Sequence, residues 1–214
     1  MLRVNEIFYS IQGESTFAGF PCIFIRMTGC NLRCTYCDTT YAYDQGDDIR
    51  LDSILATVKK FDCSLIEVTG GEPLIQNETP DLISTLINNG YTVLLETNGS
   101  QDISMVDTQC TRIVDIKCPS SGMDNKNYWK NLDYITPNDQ LKFVIAHRQD
   151  YLYAKKVLDA AAIKRRKKLL INFSPVFNEI DLKDLAEWIL EDNLPVRLQI
   201  QLHKYIWGEH TKGV

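Results

Sequence analysis

Three closely spaced cysteines are the strongest chemical signal in this chain. Cys30, Cys34 and Cys37 follow a C-x3-C-x2-C pattern, and Tyr36 directly precedes the last of them. Three thiolates at this spacing can ligate three irons of a 4Fe–4S cluster. The neighbouring sequence supplies no fourth cysteine, so the fourth iron would stay open to a ligand that is not protein. The loop at about 29–40 is therefore predicted to hold a cluster with one open position.

The same cysteines allow other interpretations. A closed zinc site would need a fourth ligand from a distant part of the chain, such as Cys22 or one of the three histidines. Cys34 and Cys37 alone form a C-x-x-C pair that could act as a redox dithiol, which would leave Cys30 without a role. A disulfide framework conflicts with the odd number of seven cysteines and with the absence of a secretory-signal pattern.

Strand-like and helix-like segments alternate along the chain and must position these residues. Apolar and β-branched segments predict strands at 22–27, 65–69, 92–97, 111–117, 140–145, 169–173 and 197–202. Helical periodicity predicts helices at 51–61, 80–89, 150–163 and 181–191, with Thr79 as an N-cap. Helix-length connections favour parallel pairing. A complete eight-fold barrel typically needs about 250 residues. We therefore expect an α/β fold, a single-domain incomplete parallel β/α barrel of about six strands over 1–214.

Polar and glycine-rich segments follow four of the predicted strands. They are residues 69–73, 96–99, 115–119 and 174–176. In parallel α/β folds, ligand sites form at the carboxyl ends of the strands. These segments are therefore predicted to converge on one face, together with the cysteine loop.

The cysteine pattern followed by Gly70-Gly71-Glu72-Pro73 resembles the radical S-adenosylmethionine superfamily. Two glycines allow a backbone to approach a ligand closely, although such a turn is also common as plain structure. The resemblance implies that the open iron binds S-adenosylmethionine and that the cluster's electron releases a 5′-deoxyadenosyl radical. It implies contacts to S-adenosylmethionine from Tyr36, Gly70, Gly71, Glu72, Glu96, Asn98, Lys117, Ser174, Pro175, Val176 and Phe177.

Further segments narrow this resemblance to one family. Residues 12–14, 38–39, 115–122 and 201–205 resemble the 7-carboxy-7-deazaguanine synthase family, over a stretch from about Val4 to Trp207. That family converts 6-carboxy-5,6,7,8-tetrahydropterin to 7-carboxy-7-deazaguanine and ammonia in queuosine and deazapurine biosynthesis. Since the radical abstracts the hydrogen, no side chain is assigned as catalytic. The resemblance implies substrate contacts from Gln12, Gly13, Glu14, Arg26, Thr69, His203 and Lys204, and Mg²⁺ binding by Thr39.

Each assignment has a physical reason and a plainer alternative. The planar fork of Arg26 suits a substrate carboxylate, but it could equally make a structural salt bridge. The hydroxyl of Thr39 suits a hard cation, but it could cap a backbone group. Lys117 could face either ligand, and His203 could be structural. The chain continues to Val214, and the role of this extension is left open.

Composition limits the partners. The 214 residues carry a net charge of −5, which argues against direct nucleic-acid binding, and no apolar run predicts a membrane span. The basic run at 164–168 is interpreted as a solvated turn. Free thiols and a cluster favour a cytoplasmic location. The family resemblance implies a flavodoxin or ferredoxin as electron donor and a homodimer.

Two rival functions stay open. Another radical S-adenosylmethionine enzyme, such as an activase that makes a glycyl radical on a partner protein, would share the cysteine spacing. It would not share the segment at 12–14 or the tail at 203–205 in this arrangement. A zinc-binding module is the rival from a different class.

Overall fold

A computed structural model describes residues 1–160, 163, 168–209 and 211–214. Its strands are β1 (Leu2–Ile11), β2 (Pro21–Met27), β3 (Asp47–Ile49), β4 (Leu65–Gly70), β5 (Thr92–Thr97), β6 (Thr111–Ile116), β7 (Gln140–Ile145), β8 (Leu170–Pro175) and β9 (Arg197–Leu198). Its α-helices are α1 (Leu51–Val58), α2 (Thr79–Asn88), α3 (Asn131–Tyr134), α4 (Arg148–Asp159), α5 (Leu182–Glu191) and α6 (Leu202–Trp207).

The strands form one mostly parallel sheet. Within the described ranges its order is β3-β1-β2-β4-β5-β6-β7-β8-β9. All pairs from β2 to β9 are parallel, whereas β1 runs antiparallel to both β2 and β3. In this part of the chain β3 and β9 are the two edges and do not pair, so the sheet is open. The predicted α/β class is confirmed, and the parallel strands are consistent with a partial barrel.

Several element predictions were wrong in detail. The ten-residue strand β1 was missed because charged and polar residues interrupt its apolar pattern, and its antiparallel pairing leaves only some positions buried. The strand predicted at 197–202 ends at Leu198, because the chain turns away and begins α6 at Leu202. Thr79 lies inside α2, and its hydroxyl donates to the carbonyl of Pro73 at 2.6 Å instead of capping the helix.

The helix predicted to reach 163 was too long, since α4 ends at Asp159. Residues 161, 162, 164–167 and 210 lie outside the described residues, so the solvated-turn interpretation of the basic run and any role for His210 stay untested. In the described ranges, no helix combines the length and apolar character needed to cross a membrane.

Strand alternation separates the core from the site. Ile66 and Val68 of β4 pack in a hydrophobic core with Ile54 of α1 and other buried side chains. Glu67 and Thr69 point to the opposite face because successive side chains of a strand alternate. Both line a cavity on that face. The apolar side chains of a strand such as β4 therefore pack in the core, while its polar side chains line the cavity.

A candidate active site at the carboxyl ends of the strands

One cavity of about 710 Å³ collects most of the predicted site residues. Its wall includes Gln12, Gly13, Glu14, Arg26, Cys30, Cys34, Tyr36, Cys37, Thr39, Thr69, Gly70, Gly71, Glu96, Asn98, Lys117, Val176, Phe177, His203 and Lys204. These residues come from the ends of parallel strands, the cysteine loop and both terminal regions of the chain. The convergence expected from the strand-end segments is therefore present.

Three predicted residues lie behind this wall. Glu72 is fully buried, and its carboxylate accepts hydrogen bonds from the backbone N–H of Asn98 at 2.6 Å and from the Thr97 hydroxyl at 2.8 Å. Burial raises the pKa of Glu72 to about 7, although these donors favour the ionised form. Ser174 and Pro175 belong to β8 and do not line the cavity. Glu72 therefore anchors the end of β5 rather than facing the cavity.

The three cysteines lie together at one end of the cavity as free, half-buried thiols. The backbone N–H of Leu32 and the side-chain amide of Asn98 donate to the Cys30 sulfur at 3.4 and 3.7 Å. Burial raises the pKa of Cys30 and of Cys34. Ligation by iron would remove those protons, and the two donors would stabilise the resulting sulfur charge. The residues fit a cluster held by three thiolates.

The described residues do not form a preassembled zinc site. Within the described part of the chain, no group of three or more His, Cys, Asp and Glu side chains is arranged to hold a metal ion. A 4Fe–4S cluster spreads its ligands over three different irons, so its three sulfurs need not converge on one point. The arrangement of the three cysteines is therefore compatible with the cluster.

Gly70, the last residue of β4, and Gly71 let the chain pass directly against the cysteine loop. A Cβ on Gly71 would lie 2.1 Å from the carbonyl oxygen of Gly29, and Gly70 has a φ of +137°. The backbone N–H of Glu72 donates to the same carbonyl at 2.8 Å. The Gly-Gly pair is thus required by close backbone packing as well as suited to ligand access.

Elsewhere on the cavity wall, Lys142 of β7 joins two carboxylates. Its ammonium group contacts Glu14 and lies 2.7 Å from Glu96, which also accepts a hydrogen bond from the Thr69 hydroxyl at 3.3 Å. Burial raises the pKa of Glu14, but Lys142 and His203 outweigh it, and the net pKa is below the usual value. The sequence analysis missed Lys142, although a lysine inside an apolar strand was a usable signal.

Glu67 of β4 is a second buried residue that the sequence analysis missed, after Lys142. The Gln12 amide donates to it at 2.5 Å, and the Gln12 carbonyl oxygen accepts from the backbone N–H of Glu14 at 3.0 Å. Burial raises the pKa of Glu67 well above its usual value, and the negative charges of Glu96 and Glu14 raise it further. The signal for Glu67 was its position two residues before Thr69 on the same strand face.

Arg26 is held in place by protein groups. Its Nε lies 2.7 Å from a Glu6 carboxylate oxygen that also accepts from the Tyr41 hydroxyl at 3.1 Å. The guanidinium lies 5.5 Å from the ring centre of Phe8 and 5.7 Å from that of Tyr41. Arg26 therefore does form a structural salt bridge, through its Nε. It also lines the cavity.

The segment at 12–14 and the tail meet at Gly13. The backbone N–H of Leu202 donates to the Gly13 carbonyl at 3.0 Å. A Cβ on Gly13 would lie 2.1 Å from Nδ1 of His203. Burial lowers the pKa of His203, which favours the neutral imidazole. Two segments from opposite ends of the sequence thus form one corner of the site.

Lys204 links the tail to the cysteine loop. Its ammonium group lies 2.7 Å from the Asp38 carboxylate, which also accepts from the Thr39 hydroxyl at 3.0 Å. Burial raises the pKa of Asp38, but Lys204 outweighs burial and holds the net pKa well below its usual range. Lys117 makes a similar pair with Asp115 at 2.6 Å. Both lysines line the cavity, and each is already paired with a carboxylate that also lines it.

The last residues of the chain fold back over the cavity. The Lys212 ammonium lies 4.3 Å from the ring centre of Tyr41, and a Cβ on Gly213 would lie 3.6 Å from a Glu6 oxygen. Val214 lines the cavity. The extension that the sequence analysis left open therefore belongs to the site.

Comparisons with known proteins agree with this geometry. The model of the Radical SAM superfamily matches residues 24–118. The 7-carboxy-7-deazaguanine synthase of Chlorobaculum tepidum is 46% identical over 216 residues, covering 100% of this chain and 97% of the relative. The 7-carboxy-7-deazaguanine synthase of Koribacter versatilis is 42% identical and covers 100% of both chains.

Solved structures share the fold. The crystal structure of QueE from Escherichia coli matches with a TM-score of 0.76 at 23% identity, covering 94% of both chains. SuiB from Streptococcus suis bound to S-adenosylmethionine matches with a TM-score of 0.54 at 13% identity, covering 81% of this chain and 45% of SuiB. At these identities the two structures support the fold alone.

Proposed function

The chain belongs to the 7-carboxy-7-deazaguanine synthase family of radical S-adenosylmethionine lyases, and we propose how its residues divide the work of that reaction. The reaction converts 6-carboxy-5,6,7,8-tetrahydropterin to 7-carboxy-7-deazaguanine and ammonia in queuosine and deazapurine biosynthesis. One observation carries the proposal: a single cavity is lined by three free cysteines, here called its cysteine end, and by paired charged side chains, here called its charged end. The activase alternative is not favoured.

The cysteine end would bind the cofactors. Cys30, Cys34 and Cys37 would hold the 4Fe–4S cluster, which with bound S-adenosylmethionine supplies an electron and a 5′-deoxyadenosyl radical. The backbone of Gly70 and Gly71 would receive the methionine part, because it lies against the cysteine loop. Contacts to the adenosine part are proposed for Tyr36, Asn98, Lys117, Val176 and Phe177, and for Glu96, which also pairs with Lys142 of the charged end. We propose that Glu72, Ser174 and Pro175, which do not line the cavity, support the residues of this wall.

The charged end would bind the pterin. Glu6 fixes the Nε edge of Arg26, so the outer guanidinium nitrogens would bind the substrate carboxylate. Glu14, held by Lys142, would accept hydrogen bonds from ring N–H groups. Gln12, Gly13, Thr69, His203 and Lys204 would complete this end of the cavity. Their mutual contacts support the role, because a prearranged site loses less conformational entropy on binding.

Thr39 and Mg²⁺ form a further part of the proposal. The Thr39 hydroxyl already donates to the Asp38 carboxylate, so two oxygen ligands of the kind that Mg²⁺ prefers lie side by side. Lys204 pairs with the other oxygen of Asp38, so substrate oxygens and water would supply the remaining ligands. Bound there, Mg²⁺ would fix the substrate carboxylate.

Partners and location follow from the same family. We propose a flavodoxin or ferredoxin as electron donor, a homodimer and a cytoplasmic location, which free thiols favour. We also propose that residues 1–214 act as one catalytic domain, because one sheet connects the first strand with the last.

Anaerobic reconstitution tests the function. The protein is loaded with iron and sulfide, reduced with dithionite, and mixed with S-adenosylmethionine, Mg²⁺ and 6-carboxytetrahydropterin. We expect 7-carboxy-7-deazaguanine by mass spectrometry, and its loss in Cys34→Ala but not in Cys63→Ser, which changes a cysteine outside the cavity wall. Substrate-independent release of 5′-deoxyadenosine without this product would overturn the substrate assignment and return attention to the activase.

A further inference from the structure

We propose that Glu67 binds the pterin substrate as a neutral carboxylic acid, which donates one hydrogen bond and accepts another at the pyrimidinone edge of the ring system. This assignment rests on the reaction proposed above and adds a specificity-determining residue to it. Glu67 lines the cavity and is 5% exposed. It is absent from the residues that the sequence predicted.

The position of Glu67 places a carboxyl group on an apolar floor. In the register of the sheet, it lies between Phe24 of β2 and Leu94 of β5. Both neighbours belong to a small buried cluster on the cavity face of the sheet. An ionised carboxylate is costly in such surroundings, whereas a protonated carboxyl group is tolerated.

The hydrogen bonds of Glu67 leave Oε1 and the second lone pair of Oε2 for a ligand. Its Oε2 accepts from the amide of Gln12, while in the described part of the chain Oε1 has no hydrogen-bond partner from the protein. The carbonyl of Gln12 is already occupied by the backbone N–H of Glu14. Gln12 therefore orients Glu67, and Glu67 presents its free oxygen to the cavity.

The charge balance around Glu67 favours the neutral form. The titratable groups around Glu67 include Glu14, Cys22, Arg26, Glu96, Asp115, Lys117 and Lys142, and Arg112 of β6 is paired with Asp139. Arg26 is paired with Glu6, and Lys117 is paired with Asp115.

Lys142 therefore remains as the nearby cation for three carboxyl groups, and it already contacts Glu14 and Glu96. The Cys22 thiol is neutral, because burial raises its pKa. A third negative charge would lack a counterion, which is consistent with the raised pKa of Glu67.

A neutral carboxyl group matches the chemistry of the substrate. It has one O–H donor and one acceptor oxygen side by side, so it can pair with an N–H and a C=O group on adjacent ring atoms. An ionised carboxylate only accepts, and it would repel both the ring carbonyl and the substrate carboxylate. Glu67 would therefore distinguish a pyrimidinone ring from a ring that lacks this edge.

Two substitutions separate the neutral role from an ionised one. Glu67→Gln keeps one donor and one acceptor without a charge, and Glu67→Leu removes both. In the cluster-loaded enzyme, we expect KM for 6-carboxytetrahydropterin to stay within about threefold in Glu67→Gln and to rise about tenfold or more in Glu67→Leu. Glu187→Gln, an exposed change on α5, is the matched control. Equal losses in Glu67→Gln and Glu67→Leu would overturn the proposal.

Two further readouts do not depend on turnover. The infrared difference between wild type and Glu67→Gln at neutral pH should contain the C=O stretch of a protonated carboxyl group, and its absence would overturn the proposal. In calorimetric titration of the cluster-loaded protein with 6-carboxytetrahydropterin, Glu67→Leu should bind more weakly than Glu67→Gln. If wild type makes no 7-carboxy-7-deazaguanine, the function fails. If wild type makes it and Glu67→Leu binds substrate normally, only the Glu67 assignment fails.

Discussion

The two ends of the cavity are built from different parts of the polypeptide. The cysteine end consists of thiols, loop backbone and glycines, with Gly71 pressed against Gly29. The opposite end consists of charged side chains from distant strands, with Lys142 between Glu14 and Glu96. Backbone contacts tolerate little change in shape, whereas an ionic network tolerates shape changes but not the loss of one charge.

Removing the central cation should give the largest effect on stability. Lys142→Met leaves the partly buried Glu14 and Glu96 carboxylates without their cation, so the loss should approach the cost of breaking a buried pair, about 3–5 kcal/mol. Urea unfolding of the wild type and the variant under the same anaerobic conditions measures this difference. The loss should shrink at acidic pH, where the carboxylates become protonated.

The double substitution Lys142→Met with Glu14→Gln is the control. It removes one of the two stranded charges, so part of the lost stability should return. If Lys142→Met alone lowers the free energy of unfolding by less than about 1 kcal/mol, the range measured for exposed ion pairs, the network of Lys142 behaves like a surface salt bridge.

Filling the backbone contact at the other end should have a smaller effect. Gly71→Ala places a Cβ 2.1 Å from a carbonyl oxygen, and overpacking of this kind typically costs about 1–3 kcal/mol. The change also displaces the cysteine loop, so the iron content after reconstitution should fall together with stability. Gly90→Ala provides the comparison, because Gly90 has a φ of +88° but open space around its Cα. It should lower stability through strain and leave the iron content unchanged.

The difference between the two ends also explains what the sequence could predict. The cysteine spacing and the Gly-Gly-Glu-Pro turn are local patterns, so the sequence could bring the cysteines and glycines to the cavity, but it could not show that Glu72, Ser174 and Pro175 lie off the cavity wall. The network of Glu67 and Lys142 could not be predicted, because its contacts join residues on different strands and depend on register. Strand β1 was missed for a related reason. Its polar residues can be recognised as part of a strand only once the pairing of β1 with β2 and β3 is known.

The pair between Lys204 and Asp38 joins the two ends and should give the smallest effect on stability. Asp38 has a lowered pKa in the folded state, so the pair contributes stability above the ordinary Asp value of 3.8. This contribution disappears as the pH falls through the lower folded pKa. Lys204→Met should cost about 1 kcal/mol or less at neutral pH, because Asp38 is half-exposed, and the difference from wild type should vanish in acid. Urea unfolding measured as a function of pH checks this prediction, and a difference that persists at low pH would assign Lys204 a packing role against Phe177 instead.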